Sequence, residues 1–191
     1  MTIHPVRTSS PSLLVVARGI AGVRDELVAK WAAWLAARQP GSGALDGDTT
    51  ERVVHIIADL LVVMTGPLRR EAQDTWYAAT ELYGRLAALR GLSAGEVVEE
   101  LQRLRELLVL ELAEFIVALP ARQQLPTVIR INRVLDSAVS NAVVGYTDAL
   151  VASMFSRQGV PVPTADSIQQ TVAQLDGIEA EVRLLAERSP R

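Results

Sequence analysis

The sequence of 191 residues predicts an all-α fold, an antiparallel bundle of about five helices followed by a coiled-coil-like C-terminal helix. Apolar residues recur at steps of three and four along most of the chain, which is the period of an amphipathic helix. Stretches rich in proline and glycine separate these periodic segments. No segment shows the strict alternation of a half-buried strand, and the length favours one domain.

The sequence divides into four parts: a flexible leader (1–11), a helical bundle (12–159), a hinge (160–165) and a C-terminal helix (166–191). The leader contains Pro5 and Pro11 together with several hydroxyl residues. Pro161 and Pro163 stiffen the hinge and separate the last helix from the bundle.

The first two helices differ in their apolar pattern. Helix one is predicted from Leu13 to about Arg38, because the Gln-Pro-Gly-Ser-Gly run that follows cannot continue it. Helix two opens at Asp48, with Glu51 in the capping-box position, and runs to Met64. Its apolar residues surround almost the whole helix, so we expect burial, either within this fold or against a partner.

Proline, glycine and capping residues define the next three helices. Helix three starts at Pro67 and ends at a C-terminal glycine, Gly91. Ser93 and Glu96 form a capping box for helix four, which Pro120 ends. We expect its glutamates, Glu96, Glu99, Glu100, Glu106, Glu111 and Glu114, to form a solvated face. Helix five enters around Pro126 and closes at Gly159.

The C-terminal segment carries about three heptads, near the lower limit for a coiled coil. Two interpretations remain open: a sixth helix that docks on the domain, or a helix that extends from it for dimerisation and signalling. The residues predicted for that role are Ile168, Leu175, Ile178, Val182 and Leu185, with Thr171 completing the pattern.

Composition excludes several classes of protein. Without cysteine there is no disulfide framework, zinc finger or thiol nucleophile. The formal charge of −3 argues against nucleic acid as a partner, and the helix-turn-helix-like segment after Gly91 has glutamates where phosphates would lie. The most apolar stretch, Ile56 to Met64, is interrupted by Asp59 and too short to span a membrane. We therefore expect a cytoplasmic protein without membrane contact.

Residues with catalytic or metal-binding chemistry are sparse. There is no nucleophile elbow or phosphate-binding glycine loop, and Lys30 is the sole lysine, so we expect no enzymatic activity and no cofactor. Glu51, His55 and Asp59 share one stripe of helix two at i, i+4 and i+8, a spacing that could hold a metal or act as a proton switch. The stronger interpretation is a polar stripe facing water.

The few aromatic residues fall on helical faces. Five of the eight are grouped in this way: Trp31 and Trp34 on helix one, Trp76 and Tyr83 on helix three, and Tyr146 on helix five. Such stripes are usually core packing, although they could line a small ligand pocket between helices.

Two segments resemble a known family. They are GLSAGEVVEELQRLRELL at 91–108 and IRINRVLDSAV at 129–139, the second followed by Tyr146. Across Ile20 to Arg157 the pattern is similar to the helical N-terminal sensory domains of stressosome co-antagonists of the RsbR type and of soluble sensor histidine kinases. The resemblance implies a non-haem, globin-like bundle that forms a homodimer in stress signalling. Its C-terminal helix would pass a signal to an output domain or partner.

The resemblance and the residue chemistry lead to one functional expectation and one alternative. We expect a non-catalytic sensory or regulatory module. The alternative is a bundle that binds a small molecule, or haem, in an aromatic-lined pocket.

Overall fold

A computed structural model describes residues 13–38, 47–155 and 165–188, without the side chains of residues 47 and 165–168. The predicted leader, most of the predicted hinge, the predicted end at Gly159 and the side chain of Ile168 lie outside this description. Within it all regular secondary structure is helical, which confirms the all-α prediction. The helices are α1 (Leu13–Arg38), α2 (Gly47–Thr65), α3 (Gln73–Leu89), α4 (Ala94–Glu111), α5 (Ala113–Ala118), α6 (Ala121–Phe155) and α7 (Ala165–Arg188).

Helices α1 and α2 are antiparallel and have nearly the predicted bounds. Ala17 lies next to Gly66 at one end of the pair, and Arg24 bonds to Asp59 further along it. The apolar residues that surround α2 are buried by this chain's own helices, α1, α3, α6 and α7. The open question of what covers α2 is therefore answered by the fold itself.

The predicted start of the third helix at Pro67 is wrong. Residues 67–72 form successive turns, and α3 begins at Gln73 after an N-cap, Ala72, that has no side-chain acceptor. The predicted end is confirmed: Gly91 has φ 78°, and the N–H of Leu92 bonds the carbonyl of Ala87 at 3.1 Å. This is the geometry of a Schellman C-cap, which requires the positive φ that glycine adopts freely.

The predicted capping box of α4 is confirmed, since the Ser93 hydroxyl accepts from the N–H of Glu96 and the Glu96 carboxylate accepts from the N–H of Ser93. The predicted continuous helix up to Pro120 is wrong. At Leu112 one N–H is shared between the carbonyls of Leu108 and Leu110, and this tightened turn separates α4 from the short α5.

Helix α6 begins earlier than predicted, at Ala121, so that Pro126 lies inside it. Beyond the first turn, proline removes one helical N–H and its ring crowds the carbonyl four residues before it, so contacts outside the helix are needed to hold such a segment helical. Such a contact is present: the side-chain amide of Gln124 donates to the carbonyls of Val117 and Leu119 and ties α6 to the end of α5.

Helices α3 and α6 run parallel and make the closest contact in the fold. A Cβ atom at Gly84 would lie 1.8 Å from the carbonyl oxygen of Ala142, and one at Gly145 would lie 2.0 Å from that of Glu81. The two backbones therefore touch where these glycines meet. On one side of this crossing the Asn141 amide donates to the Thr80 hydroxyl at 3.0 Å in a buried position.

The C-terminal helix α7 docks on its own chain, so the docking interpretation describes this structure. Its buried residues follow the predicted heptads and are Thr171, Leu175, Ile178, Val182 and Leu185. They face α2 and α3, and Leu175 is only 1% exposed.

Candidate functional site

The surface that α7 covers, which we call the docking seam, is held near the middle of α7 by Arg52 of α2. The Arg52 guanidinium donates to Glu179 at 2.8 Å and to Asp176 at 2.6 Å. These bonds raise the pKa of Arg52 above its ordinary value, with the Glu179 bond as the largest cause. A second anchor is the Thr75 hydroxyl, which donates to Glu181 at 2.6 Å. The middle of the described helix, from Asp176 to Glu181, is thus fixed by charged and polar groups on α2 and α3.

Cavities flank the C-terminal end of α7. Val182 and Ala186 line two cavities of about 390 Å³ each, and both cavities also reach Arg24 and Asp59. One cavity opens towards the apolar side chains of α1 and the other towards Arg52. Space on both sides of this end means that it has fewer packing contacts to lose if it moves.

Arg24 lies across the predicted stripe of Glu51, His55 and Asp59. Its Nε donates to Asp59 at 2.7 Å, and its Nη2 lies 2.9 Å from Nδ1 of His55. Because a guanidinium can only donate, Nδ1 of His55 is the acceptor in this contact. Burial lowers the pKa of Arg24, but the hydrogen bonds to Asp59 and Asp25 outweigh it and leave the pKa above its ordinary value.

This geometry bears on both interpretations of the stripe. The Arg24 cation occupies the space between His55 and Asp59, and Glu51 remains 3.9 Å from His55 Nε2. Among the described residues no group of three or more His, Cys, Asp or Glu side chains could hold a metal ion. The stripe faces α1 and the edge of α7 as well as water, so its description as a purely solvated face is incomplete.

The predicted pocket aromatics are part of the core. Trp31 stacks on Tyr83 with ring centroids 5.8 Å apart, and the Trp76 indole donates to Ser137 at 2.9 Å. Tyr146 is also buried. Trp34 is half-buried, and Cζ of the Arg38 guanidinium lies 4.8 Å from the centroid of its indole ring. None of these five aromatic side chains lines the two cavities beside the C-terminal half of α7.

The predicted solvated face of α4 is wrong at Glu100, which is 3% exposed. Its carboxylate accepts from the Tyr83 hydroxyl at 2.5 Å and from both terminal nitrogens of Arg90, at 2.7 and 3.2 Å. Burial raises the pKa of Tyr83 well above its ordinary value, and the charge of Glu100 raises it further. A sequence signal did exist, because Glu100 shares the i, i+3, i+4, i+7 pattern with apolar Val97, Leu101 and Leu104.

Comparisons with known proteins give no relative. No family model, curated protein or solved structure matches this chain. Among the described helices, none combines the length and the apolar character needed to cross a membrane.

Proposed function

We propose that this protein is a non-catalytic regulatory module of a signalling system, in which α7 alternates between the docking seam and a coiled coil with a second copy. The observation that carries the proposal is that the whole described heptad face of α7 is buried in its own chain. This is the face that a coiled coil would use. Docking and pairing therefore compete for the same side chains.

The seam has features of a reversible contact. Asp176 is largely exposed and Arg52 partly so, and ion pairs in such positions contribute only about 0–1 kcal/mol each. Cavities flank Val182 and Ala186 at the C-terminal end of the helix. A stimulus or partner that binds one arrangement more tightly would shift the balance between the two.

The resemblance to helical sensory domains supports the same proposal. In that family the C-terminal helix leads to an output domain or partner, and the domains form homodimers in cytoplasmic stress signalling. The alternative of a small molecule or haem among the aromatic residues has less support, because Trp31, Trp76 and Tyr83 fill the core and bond to other protein groups.

The proposal is tested by measuring a distance between α7 and the bundle. The chain has no cysteine, so spin labels can be attached at Gly22→Cys on α1 and Leu184→Cys on α7, both exposed. Leu184 lies outside the heptad face. Double electron–electron resonance on dilute protein should give one predominant distance between the two labels, that of the docked helix. Arg52→Gln removes two hydrogen bonds of the seam. It should increase the population with an undocked α7, which gives a second and broader range of distances, about fivefold. This is the change expected when docking loses about 1 kcal/mol of free energy.

The matched control is Arg103→Gln, which removes an exposed ion pair with Glu106 on α4. It should leave the distance distribution unchanged. If Arg52→Gln also leaves it unchanged, or if α7 separates only when the whole bundle unfolds, α7 is a fixed part of the core and the proposed signalling role fails.

A further inference from the structure

A cavity of about 690 Å³ lies between the α2–α3 connection and the first half of α6. Four arginines line it: Arg69 and Arg70 from the connection, and Arg130 and Arg133 from α6. Among the described residues that line it, none is an aspartate or glutamate. This concentration of positive charge contrasts with the net charge of −3 for the whole chain.

Two of these arginines, Arg69 and Arg130, lie close enough for their charges to interact. Burial lowers the pKa of Arg130, and the charge of Arg69 lowers it further. Of the ion pairs that the described residues form, none includes Arg69, Arg70 or Arg133. Like charges that share a cavity repel, and an anion bound among them would remove this repulsion.

The start of α3 adds to the positive potential. Gln73, its first residue, lines the cavity, and the preceding Ala72 has no side-chain oxygen to cap the helix. The N–H of Gln73 donates to the Arg70 carbonyl at 3.4 Å, so this helix start contributes the partial positive charge of its N-terminus, which favours a nearby anion and is partly offset by Asp74 in the first turn.

The remaining wall is apolar and includes Met64, Ile129 and Val134. Guanidinium groups bind phosphate oxygens through paired N–H donors, and apolar walls suit the organic part of a ligand. We propose that this cavity binds a small organic phosphate carrying two or more negative charges, of the nucleoside diphosphate type. The arginines surround a concave site instead of forming an extended basic strip, which favours a small ligand over nucleic acid.

This inference is independent of the proposed role of α7, because none of the α7 side chains that the structure describes lines the cavity. Loss of anion binding would leave the docking proposal intact, and a fixed α7 would leave the anion site intact.

Isothermal titration calorimetry on the full chain at low salt tests the proposal with inorganic pyrophosphate, adenosine diphosphate and adenosine. Both phosphate compounds should bind and adenosine should not. Arg130→Gln and Arg133→Gln should each weaken binding about 10- to 100-fold, as expected for the loss of a charge-assisted hydrogen bond. Higher salt should weaken binding as well.

The matched control is Arg122→Gln, which removes the same charge from the same helix outside the cavity. It should change the affinity by no more than about twofold. Thermal unfolding of each variant without ligand identifies any loss of stability. Arg133 is exposed, so Arg133→Gln is the substitution that should disturb folding least. The proposal is overturned if neither phosphate compound binds, or if adenosine binds as tightly as adenosine diphosphate. It is also overturned if the cavity variants have the same affinity as Arg122→Gln. Binding of duplex DNA without binding of pyrophosphate would overturn it as well.

Discussion

Among single residues, Glu100 has the largest predicted effect on stability because its charge is buried and balanced by side chains of α3 and the turn after it, Tyr83 and Arg90. A buried carboxylate that loses its cation is left with an unbalanced charge, which typically destabilises by about 3–5 kcal/mol. We predict a loss of this size in the free energy of unfolding for Arg90→Met, measured by urea denaturation and circular dichroism.

Two further variants separate this charge effect from ordinary packing. Adding Glu100→Gln to Arg90→Met should recover most of the loss, because the amide is neutral and its oxygen still accepts from Tyr83. Arg103→Met removes an exposed ion pair of α4 and should change stability by only about 0–1 kcal/mol. Equal losses in the single and double variants would contradict the electrostatic explanation.

The same residue shows why the polar interior was harder to predict than the apolar core. Glutamate on a helix is usually solvated, and the number of glutamates on α4 concealed the one that points inward. Its partners, Arg90 and Tyr83, belong to the end of α3 and the turn after it, and their contact with α4 depends on how the two helices pack. The arginine cavity was missed for a related reason, since Arg70 and Arg130 are far apart in sequence and meet only in the fold.

Among the elements, the packing of α3 on α6 depends on two glycines. At Gly84 the obstacle to a side chain is the carbonyl of Ala142, a backbone atom that no rotamer change can move. We therefore predict that Gly84→Ala lowers the free energy of unfolding by about 1–3 kcal/mol or more, despite the better helix propensity of alanine. Urea denaturation measures this directly.

Gly22 provides the matched control, because it lies in α1 and a Cβ atom added there would have no neighbour within 4 Å. There alanine should stabilise the protein by about 0.5–1 kcal/mol through helix propensity alone. A stabilising Gly84→Ala would mean that the two helices do not approach as closely as the structure shows.

Helix boundaries were predictable where neighbouring residues determine them and not where distant contacts do. The capping box at Ser93 and the glycine cap at Gly91 depend on residues within a few positions, and both predictions are confirmed. Pro67 and Pro126 each suggest the start of a helix, because the first turn is a common position for proline. The structure has turns after Pro67 and a helix through Pro126, and in the second case contacts from Gln124 to the end of α5 support the earlier start.

At the scale of the whole molecule, the sequence could not decide between docking and extension of α7. A seven-residue apolar repeat is suited equally to a groove on its own chain and to a second helix, since both require the same buried face. The predicted residues Leu175, Ile178, Val182 and Leu185 are buried, but by α2 and α3 of the same chain. Whether a homodimer forms through this face is therefore a question of competition between two contacts.

That competition yields a quantitative prediction for Arg52→Gln. If only undocked helices pair, and the docked form predominates, the apparent association constant of the dimer depends on the undocked fraction of both chains, and therefore on its square. A roughly fivefold larger undocked fraction should strengthen dimerisation by up to about 25-fold. Sedimentation equilibrium over a range of protein concentrations measures this change, and Leu184→Ser, outside the heptad face, should leave it unaffected. Unchanged or weaker dimerisation of Arg52→Gln would exclude the heptad face as the dimer interface, because releasing the true interface from docking must strengthen dimerisation.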